Sequence, residues 1–75
     1  IEKGADINKS NNNGYTPLHI ASQEGHLEIV KFLIEKGADI NKPTNNDGYT
    51  PLFIASDYGY LEIVKYLIEK GADIN

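Results

Sequence analysis

A pattern of apolar and polar positions with helical spacing occurs twice, as LEIVKFLIE at 27–35 and as LEIVKYLIE at 61–69. In the first copy Glu28, Lys31 and Glu35 fall on a stripe about 60° wide when each residue is turned by about 100°. Apolar residues fill most of the remaining circumference, whereas a helix packed on one neighbour needs an apolar stripe of only about 100°. The pattern therefore predicts two α-helices that each have neighbours on both sides, as in a stack.

A shorter helix is predicted in front of each of these segments. In the first copy Thr16 and Pro17 are typical of a helix N-cap and a first-turn proline, because the hydroxyl accepts an unpaired N–H and proline has none to satisfy. Gly25 fits the left-handed position at which such a helix ends. The longer helix is expected from about Leu27 to Lys36, closed by Gly37. The stretch that follows is rich in Asn, Asp and Gly and predicts an extended turn.

An internal repeat organises the whole chain. Residues 14–41 and 48–75 give 28 paired positions, of which 23 are identical. The paired positions that differ are His19/Phe53, Gln23/Asp57, Glu24/Tyr58, His26/Tyr60 and Phe32/Tyr66. One extra residue falls between 41 and 48, which predicts a loop there because loops tolerate insertions.

The octapeptide IEKGADIN marks the end of each unit. It occurs at 1–8, 34–41 and 68–75. We interpret it as the last turn of the longer helix, its glycine stop and the first arm of the following loop. The chain then divides into 1–10, the tail of a preceding unit, and two complete units at 11–44 and 45–75.

The units resemble a known repeat family. GYTPLHIASQEGHLEIVKFLIEKGADIN is similar to the ankyrin repeat over its whole length, and GYTPLFIASDYGYLEIVKYLIEKGADIN nearly as closely. The first unit fits the T-P-L-H-x-A motif of that family fully, and the second departs from it only at Phe53. The resemblance implies an all-α repeat solenoid, in which helix-turn-helix units are joined by β-hairpin loops. It also implies an intracellular, cytoplasmic location.

Composition and charge narrow the classes of function. The net charge is −4, with 11 acidic residues against 7 lysines and no arginine, which argues against a nucleic-acid partner. No apolar run approaches the 18 or so residues that a membrane span needs. The chain has no cysteine and two histidines, so neither disulfides nor a cysteine–histidine metal cluster is expected.

The side chains that chemistry would use are interpreted as structural. In the ankyrin repeat the histidine of TPLH bonds near the helix start to the threonine of the same motif, so the resemblance gives His19 that role. His26 is seven residues from His19, unlike the spacing of a two-histidine zinc motif. Ser22 and Ser56 match a small residue at the helix contact, and no acid–histidine frame accompanies them. The sequence therefore predicts no enzyme and no cofactor.

A surface remains as the candidate site. In the ankyrin family partners are usually held on the concave side, by loop tips and the exposed face of the first helix. Carried over by position, those residues are Asn12, Asn13, Tyr15, Gln23 and Glu24 in the first unit and Asn46, Asp47, Tyr49, Asp57 and Tyr58 in the second. Tyrosine is enriched in interface cores, and with Asn and Asp around it these positions suit a partner of basic or mixed polar and apolar character. Neutral drift of exposed residues explains the variable positions equally well.

Two functions from different classes follow. The first is a non-catalytic module that binds another protein through the concave face. The second is a structural spacer within a longer array, which the high identity between the units favours. Repeat stacks expose apolar surface at ends that lack polar caps, so head-to-tail self-association through uncapped ends is also expected.

Overall fold

A computed structural model describes residues 6–74 of the chain, and it contains two pairs of short helices. Helices α1 (Pro17–Glu24) and α2 (Leu27–Glu35) form the first pair, and α3 (Pro51–Tyr58) and α4 (Leu61–Glu69) form the second. The loops of the described part contain turns and no β-strand. The helical end of the tail predicted at 1–10 lies outside the described residues.

The predicted bounds of the short helices are confirmed. The Thr16 hydroxyl accepts the His19 N–H at 3.4 Å, and the Thr50 hydroxyl accepts the Phe53 N–H at 3.1 Å. Each short helix ends at a left-handed glycine, with φ 76° at Gly25 and 78° at Gly59. The longer helices end one residue earlier than expected, at Glu35 and Glu69, and a glycine with positive φ follows two residues later in each.

The two helix pairs stack side by side, so that α1 packs on α3 and α2 on α4, while each short helix also packs on its own longer partner. The core between them is continuous. Its buried members are Leu18, Ala21, Val30, Leu33, Leu52, Ala55, Ile63, Leu67 and Ala72.

Equivalent positions in the two longer helices show which side of each faces a neighbour. Ile29 is 49% exposed while its counterpart Ile63 is 2% exposed. Val30 is fully buried, whereas its counterpart Val64 is only half-buried. The wide apolar arc thus presents one side to the unit before and the other to the unit after, as the pattern predicts.

The short helices divide in the same way. His19 and Ser22 are buried, and their counterparts Phe53 and Ser56 are exposed. In the opposite sense, Ile20 is 41% exposed and its counterpart Ile54 only 4%. The contact between the units therefore joins the His19–Ser22 side of α1 to the Ile54 side of α3.

Asparagine side chains tie the loops of successive units together. The Asn8 side-chain oxygen accepts the backbone N–H of Asp39 at 2.7 Å, and Asn41 accepts that of Asp73 at the same distance. These bonds repeat with the period of the sequence and fix the spacing of the loops. No helix within residues 6–74 is long and apolar enough to cross a bilayer.

Candidate functional site

Five of the ten predicted partner-binding residues line one small cleft between the units. The cleft has a volume of about 120 Å³. Its lining residues are Tyr15, Gln23, Tyr49, Phe53, Ile54, Asp57 and Tyr58. We refer to it as the tyrosine cleft. Tyr15 and Tyr49 occupy equivalent positions in the two units, and both are half-buried with their rings at the same cleft.

Aromatic rings form much of the wall of the tyrosine cleft. Tyr49 and Phe53 are stacked, with ring centroids 4.8 Å apart and planes 12° from parallel. Tyr58 is 53% exposed and stacks on Tyr60 at 5.8 Å. Tyr15 is tilted against the His19 ring at 5.6 Å. The cleft therefore offers flat, partly accessible aromatic faces, which suit both apolar and cationic groups.

Sequence reasoning missed two members of this cleft, Phe53 and Ile54. The sequence shows Phe53 only as the residue that replaces a structural histidine. The His19/Phe53 difference between the units is the signal that could have found it. Phenylalanine cannot make the hydrogen bonds of the histidine that it replaces, so Phe53 is expected in a different environment from His19. Gln23 was assigned to an exposed face and is half-buried, since the second unit packs beside it.

The other predicted residues lie apart from the cleft. Glu24 is exposed at the end of α1, and Asn46 and Asp47 are exposed in the turn before α3. Asn12 and Asn13 are exposed at the preceding loop tip. Their carbonyl oxygens accept hydrogen bonds from Asn45, at 3.1 Å from its side-chain amide and 3.1 Å from its backbone N–H respectively. The loop tips are therefore joined into one ridge beside the cleft.

The hydrogen bonds of His19 confirm its predicted structural role. Its Nδ1 accepts the backbone N–H of Thr16 at 2.9 Å and lies 2.9 Å from the Thr16 hydroxyl oxygen. Its Nε2 lies 2.7 Å from the carbonyl oxygen of Lys42 and 3.0 Å from that of Tyr49. Since a neutral imidazole carries one N–H, the two carbonyls place the proton on Nε2 and leave Nδ1 to accept. His19 thus clamps α1 to the loop that leads into α3.

Burial shapes the acid–base behaviour of His19. Desolvation lowers the pKa of the imidazole below its usual value of 6.5, against the opposing effect of the two carbonyl hydrogen bonds. The neutral ring is therefore the form that the folded protein favours. A buried, fully bonded imidazole has no free lone pair to offer a metal or a substrate. Both ring nitrogens of His19 therefore serve the fold.

The described lysine side chains lie away from the tyrosine cleft. Lys31 pairs with Glu28 on α2 and Lys65 with Glu62 on α4, at 4.0 and 3.9 Å. None of the lysines within 6–74 lines the cleft. The same region holds no group of three or more His, Asp or Glu side chains placed to bind a metal ion.

A larger hollow of about 750 Å³ lies on the far side of the second unit. Thr50, Phe53 and Ser56 line it from α3 and its cap, and Ile74, which is 69% exposed, lines it from the last loop. The equivalent surface of the first unit, formed by His19 and Ser22, is covered by α3. The hollow therefore lies on the side of the second unit that is equivalent to the side by which the first unit contacts the second.

Comparison with known sequences identifies the class of protein. All 75 residues match the sequence profile of the family described as ankyrin repeats in three copies. The chain belongs to the ankyrin repeat family, and the predicted all-α repeat solenoid is confirmed. Ankyrin repeats are generally modules for binding other proteins and are generally not catalytic.

Individual relatives match about half of the chain. Alpha-latrocrustotoxin-Lt1a of Latrodectus tredecimguttatus is 50% identical over 36 residues, which is 48% of this chain and 2% of the relative. Protein phosphatase 1 regulatory subunit 27 of Mus musculus is 48% identical over 39 residues, 52% of this chain and 25% of the relative. Ankyrin repeat domain-containing protein 49 of Homo sapiens is 46% identical over 43 residues, 57% of this chain and 18% of the relative. The matched part thus spans a quarter or less of each relative.

Proposed function

We propose that this chain binds another protein through its concave face, and that the tyrosine cleft and the neighbouring loop tips form the contact. The observation that carries the proposal is the convergence of Tyr15, Tyr49 and Tyr58 on one cleft from two units. Large aromatic groups with a hydrogen-bonding tip give much contact area for little loss of conformational entropy. The proposal includes no catalytic step.

Two further observations support this choice of surface. Tyr58 is 53% exposed and Phe53 51%, which leaves large aromatic area accessible on a small domain. The name of one relative, protein phosphatase 1 regulatory subunit 27, describes a protein that acts through another protein. By analogy, we propose a protein partner for this chain as well.

Capture of binding proteins tests the proposal. The chain is compared with a variant in which Tyr15, Tyr49 and Tyr58 are changed to alanine, and with a control carrying Phe32→Ala. Phe32 is 42% exposed on the longer helix α2, so the control removes a similar aromatic group from another surface. We expect the triple variant to lose its partner and the control to keep it. If both variants capture the same proteins as the parent chain, the spacer role within a longer array replaces the proposal.

We also propose that copies of this chain associate head to tail. The specific observation is that both surfaces of the contact between the units have an exposed counterpart. Phe53 and Ser56 are the exposed counterparts of His19 and Ser22, and Ile20 is the exposed counterpart of Ile54. A second copy placed with its Ile20 side on the hollow continues the stacking of α1 on α3. Such a contact is heterologous and need not close.

Sedimentation at increasing concentration tests the association. Ile20→Asp places a charge in the proposed contact. Phe32→Asp serves as the control because Phe32 is 42% exposed, against 41% for Ile20, and lies on the longer helix α2. We expect the parent and the control to grow in mass with concentration and Ile20→Asp to remain monomeric. Equal behaviour of the two variants argues that the open sides do not meet.

The remaining expectations are proposals on the family resemblance alone. We propose the division of the chain into a tail at 1–10 and units at 11–44 and 45–75. We propose an intracellular, cytoplasmic location and no nucleic-acid partner on the same basis, the latter together with the net charge of −4.

A further inference from the structure

We infer that the tyrosine cleft receives the guanidinium group of an arginine from the partner protein. This inference rests on the proposed function and adds the chemistry of the group that enters the cleft. Three features of the cleft carry it: the volume, the flat aromatic walls and the negative charge at the ends of two helices.

The volume fits the end of one side chain. One water molecule takes up about 30 Å³ in the liquid, so a cleft of about 120 Å³ holds a group of a few heavy atoms. Pockets for whole cofactors or drug-sized ligands measure about 300–1,000 Å³. A side chain delivered by a protein partner therefore matches the cleft better than a free small molecule does.

The walls suit a flat cation. Arginine stacks its planar guanidinium on aromatic faces, whereas the lysine ammonium is a compact, strongly hydrated point charge without such a face. On α4 the Tyr66 ring already has cations beside it, since Lys31 and Lys70 Nζ lie 5.8 and 5.6 Å from its centroid. For residues 6–74 no such cation lies over Tyr15, Tyr49 or Tyr58, so these rings are available to a cation from outside.

The charge around the cleft favours the same occupant. Gln23 lies in the last turn of α1, and Asp57 lies in the last turn of α3. The carbonyl end of a helix carries partial negative charge, and neither helix has a basic residue in its last turn. The Asp57 carboxylate adds a full negative charge at the cleft. An arginine answers all of these at once, because its fork of N–H donors pairs with a carboxylate while its face stacks on a ring.

A peptide titration followed by nuclear magnetic resonance tests the inference. The probes are the capped pentapeptide Gly-Ser-Arg-Ser-Gly and the same peptide with citrulline, which keeps the shape of arginine and removes its charge. We expect saturable shifts of the ring signals of Tyr15, Tyr49 and Tyr58 with the arginine peptide. The affinity of the citrulline peptide should be lower by roughly tenfold or more, because a hydrogen-bonded charge is lost. Equal binding of both peptides, or no binding of the arginine peptide, overturns the inference.

Two pairs of variants locate the site. Asp57→Asn should weaken binding of the arginine peptide roughly tenfold, whereas Glu69→Gln, which changes the net charge equally at an exposed position of α4, should leave it unchanged. Tyr58→Leu should lose binding that Tyr58→Phe retains, because the phenylalanine keeps the ring. An equal effect of Asp57→Asn and Glu69→Gln means that the peptide responds only to net charge, and this also overturns the inference.

The failure of this inference is distinguishable from failure of the proposed function. If a captured partner is lost on changing the three tyrosines but contributes no arginine to the cleft, the arginine inference is wrong and the binding function stands. If the triple tyrosine variant captures the same proteins as the parent chain, the binding function itself is wrong.

Discussion

The two short helices, α1 and α3, have nearly the same sequence and meet different surroundings. In α1 His19 is buried and bonded to Thr16, Lys42 and Tyr49, and so joins its own unit to the next. At the same position in α3, Phe53 is 51% exposed and stacks on the Tyr49 ring. One position of the repeat thus holds the units together in the first copy and contributes to a surface in the second.

The repeat sequence therefore determines where each short helix begins and ends, but not the role of each residue in it. Both helices begin at a threonine cap and a proline and end at a left-handed glycine. These are local features, which depend on neighbours in sequence. Burial depends instead on whether another unit packs on that side. Exchanges between the two copies should therefore have unequal effects on stability.

The largest effect is expected from His19→Phe, which places the residue of the second unit in the first. Phenylalanine accepts and donates no hydrogen bond, so the Thr16 N–H and the Lys42 carbonyl lose their partner, at about 1–3 kcal/mol for each group left buried and unpaired. The Tyr49 carbonyl still accepts the Thr44 N–H at 2.9 Å. We expect a loss on the order of 2 to 6 kcal/mol in the free energy of unfolding, a large part of the whole stability of a small domain. Urea unfolding followed by circular dichroism measures it.

The reverse exchange is the control. Phe53→His changes an exposed side chain, so the free energy of unfolding should move by no more than roughly 0.5 kcal/mol. Similar losses for the two exchanges would show that His19 does not clamp the next unit.

A smaller effect is expected from alanine at the glycines that end the short helices. Gly25 and Gly59 have nearly the same φ, 76° and 78°, so alanine is strained by about 1–2 kcal/mol at either position. A Cβ at Gly25 would also lie 2.9 Å from Tyr60 Cζ, whereas a Cβ at Gly59 meets nothing within 4 Å. We expect Gly25→Ala to cost about 1–3 kcal/mol more than Gly59→Ala, since overpacking has that order of cost.

Thermal unfolding of both alanine variants gives the difference directly, because the backbone strain cancels. The double variant Gly25→Ala with Tyr60→Ala removes the ring that the new methyl would meet. It should bring the cost of Gly25→Ala down to that of Gly59→Ala. A difference that survives in the Tyr60→Ala background would assign it to the backbone instead.

The pH dependence of stability gives a third test of the same contrast. The pKa of His19 is lowered by burial below its ordinary 6.5, so the unfolded chain takes up a proton before the folded one does. Stability contributed by His19 is therefore fully present above pH 6.5 and is lost as the pH falls below it. His19→Gln should flatten this part of the profile of unfolding free energy against pH, and His26→Gln, an exposed control in the same unit, should not.

The features predicted correctly from the sequence are those governed by short-range chemistry or by the period. Thr16, Pro17 and Gly25 give the bounds of α1 because caps and breakers act on the adjacent backbone. The apolar arc of 27–35 gives the stacking. The sequence predicts a longer helix that is one residue too long, because Lys36 serves as the C-cap of α2. The bonds of Asn8 and Asn41 to the next loop were not predicted, because they join residues about one period apart through side chains of ordinary loop type.

The candidate site was predictable only as a set of positions. Tyr15, Tyr49 and Tyr58 were found because equivalent places in successive units lie side by side. Phe53 was missed, and Gln23 was expected to be more exposed than it is. Both depend on how closely the second unit packs beside the first, and that distance is set by side chains from two units together. The pattern of residues along one segment therefore does not predict the distance between the units.

The smallest effect, and one of opposite sign, is expected at the serines of the short helices. Ser22 is fully buried, and its hydroxyl has no hydrogen-bond partner within the part of the chain that the structure describes. Its counterpart Ser56 is exposed, where water satisfies the hydroxyl.

Ser22→Ala removes a buried polar group that costs about 1–3 kcal/mol when unpaired, offset in part by the small space left behind. We expect Ser22→Ala to raise the free energy of unfolding by about 1 kcal/mol, and Ser56→Ala to change it by less than roughly 0.5 kcal/mol through helix propensity alone. Parallel urea titrations of both variants measure the two shifts, and a loss of stability in Ser22→Ala would contradict the prediction.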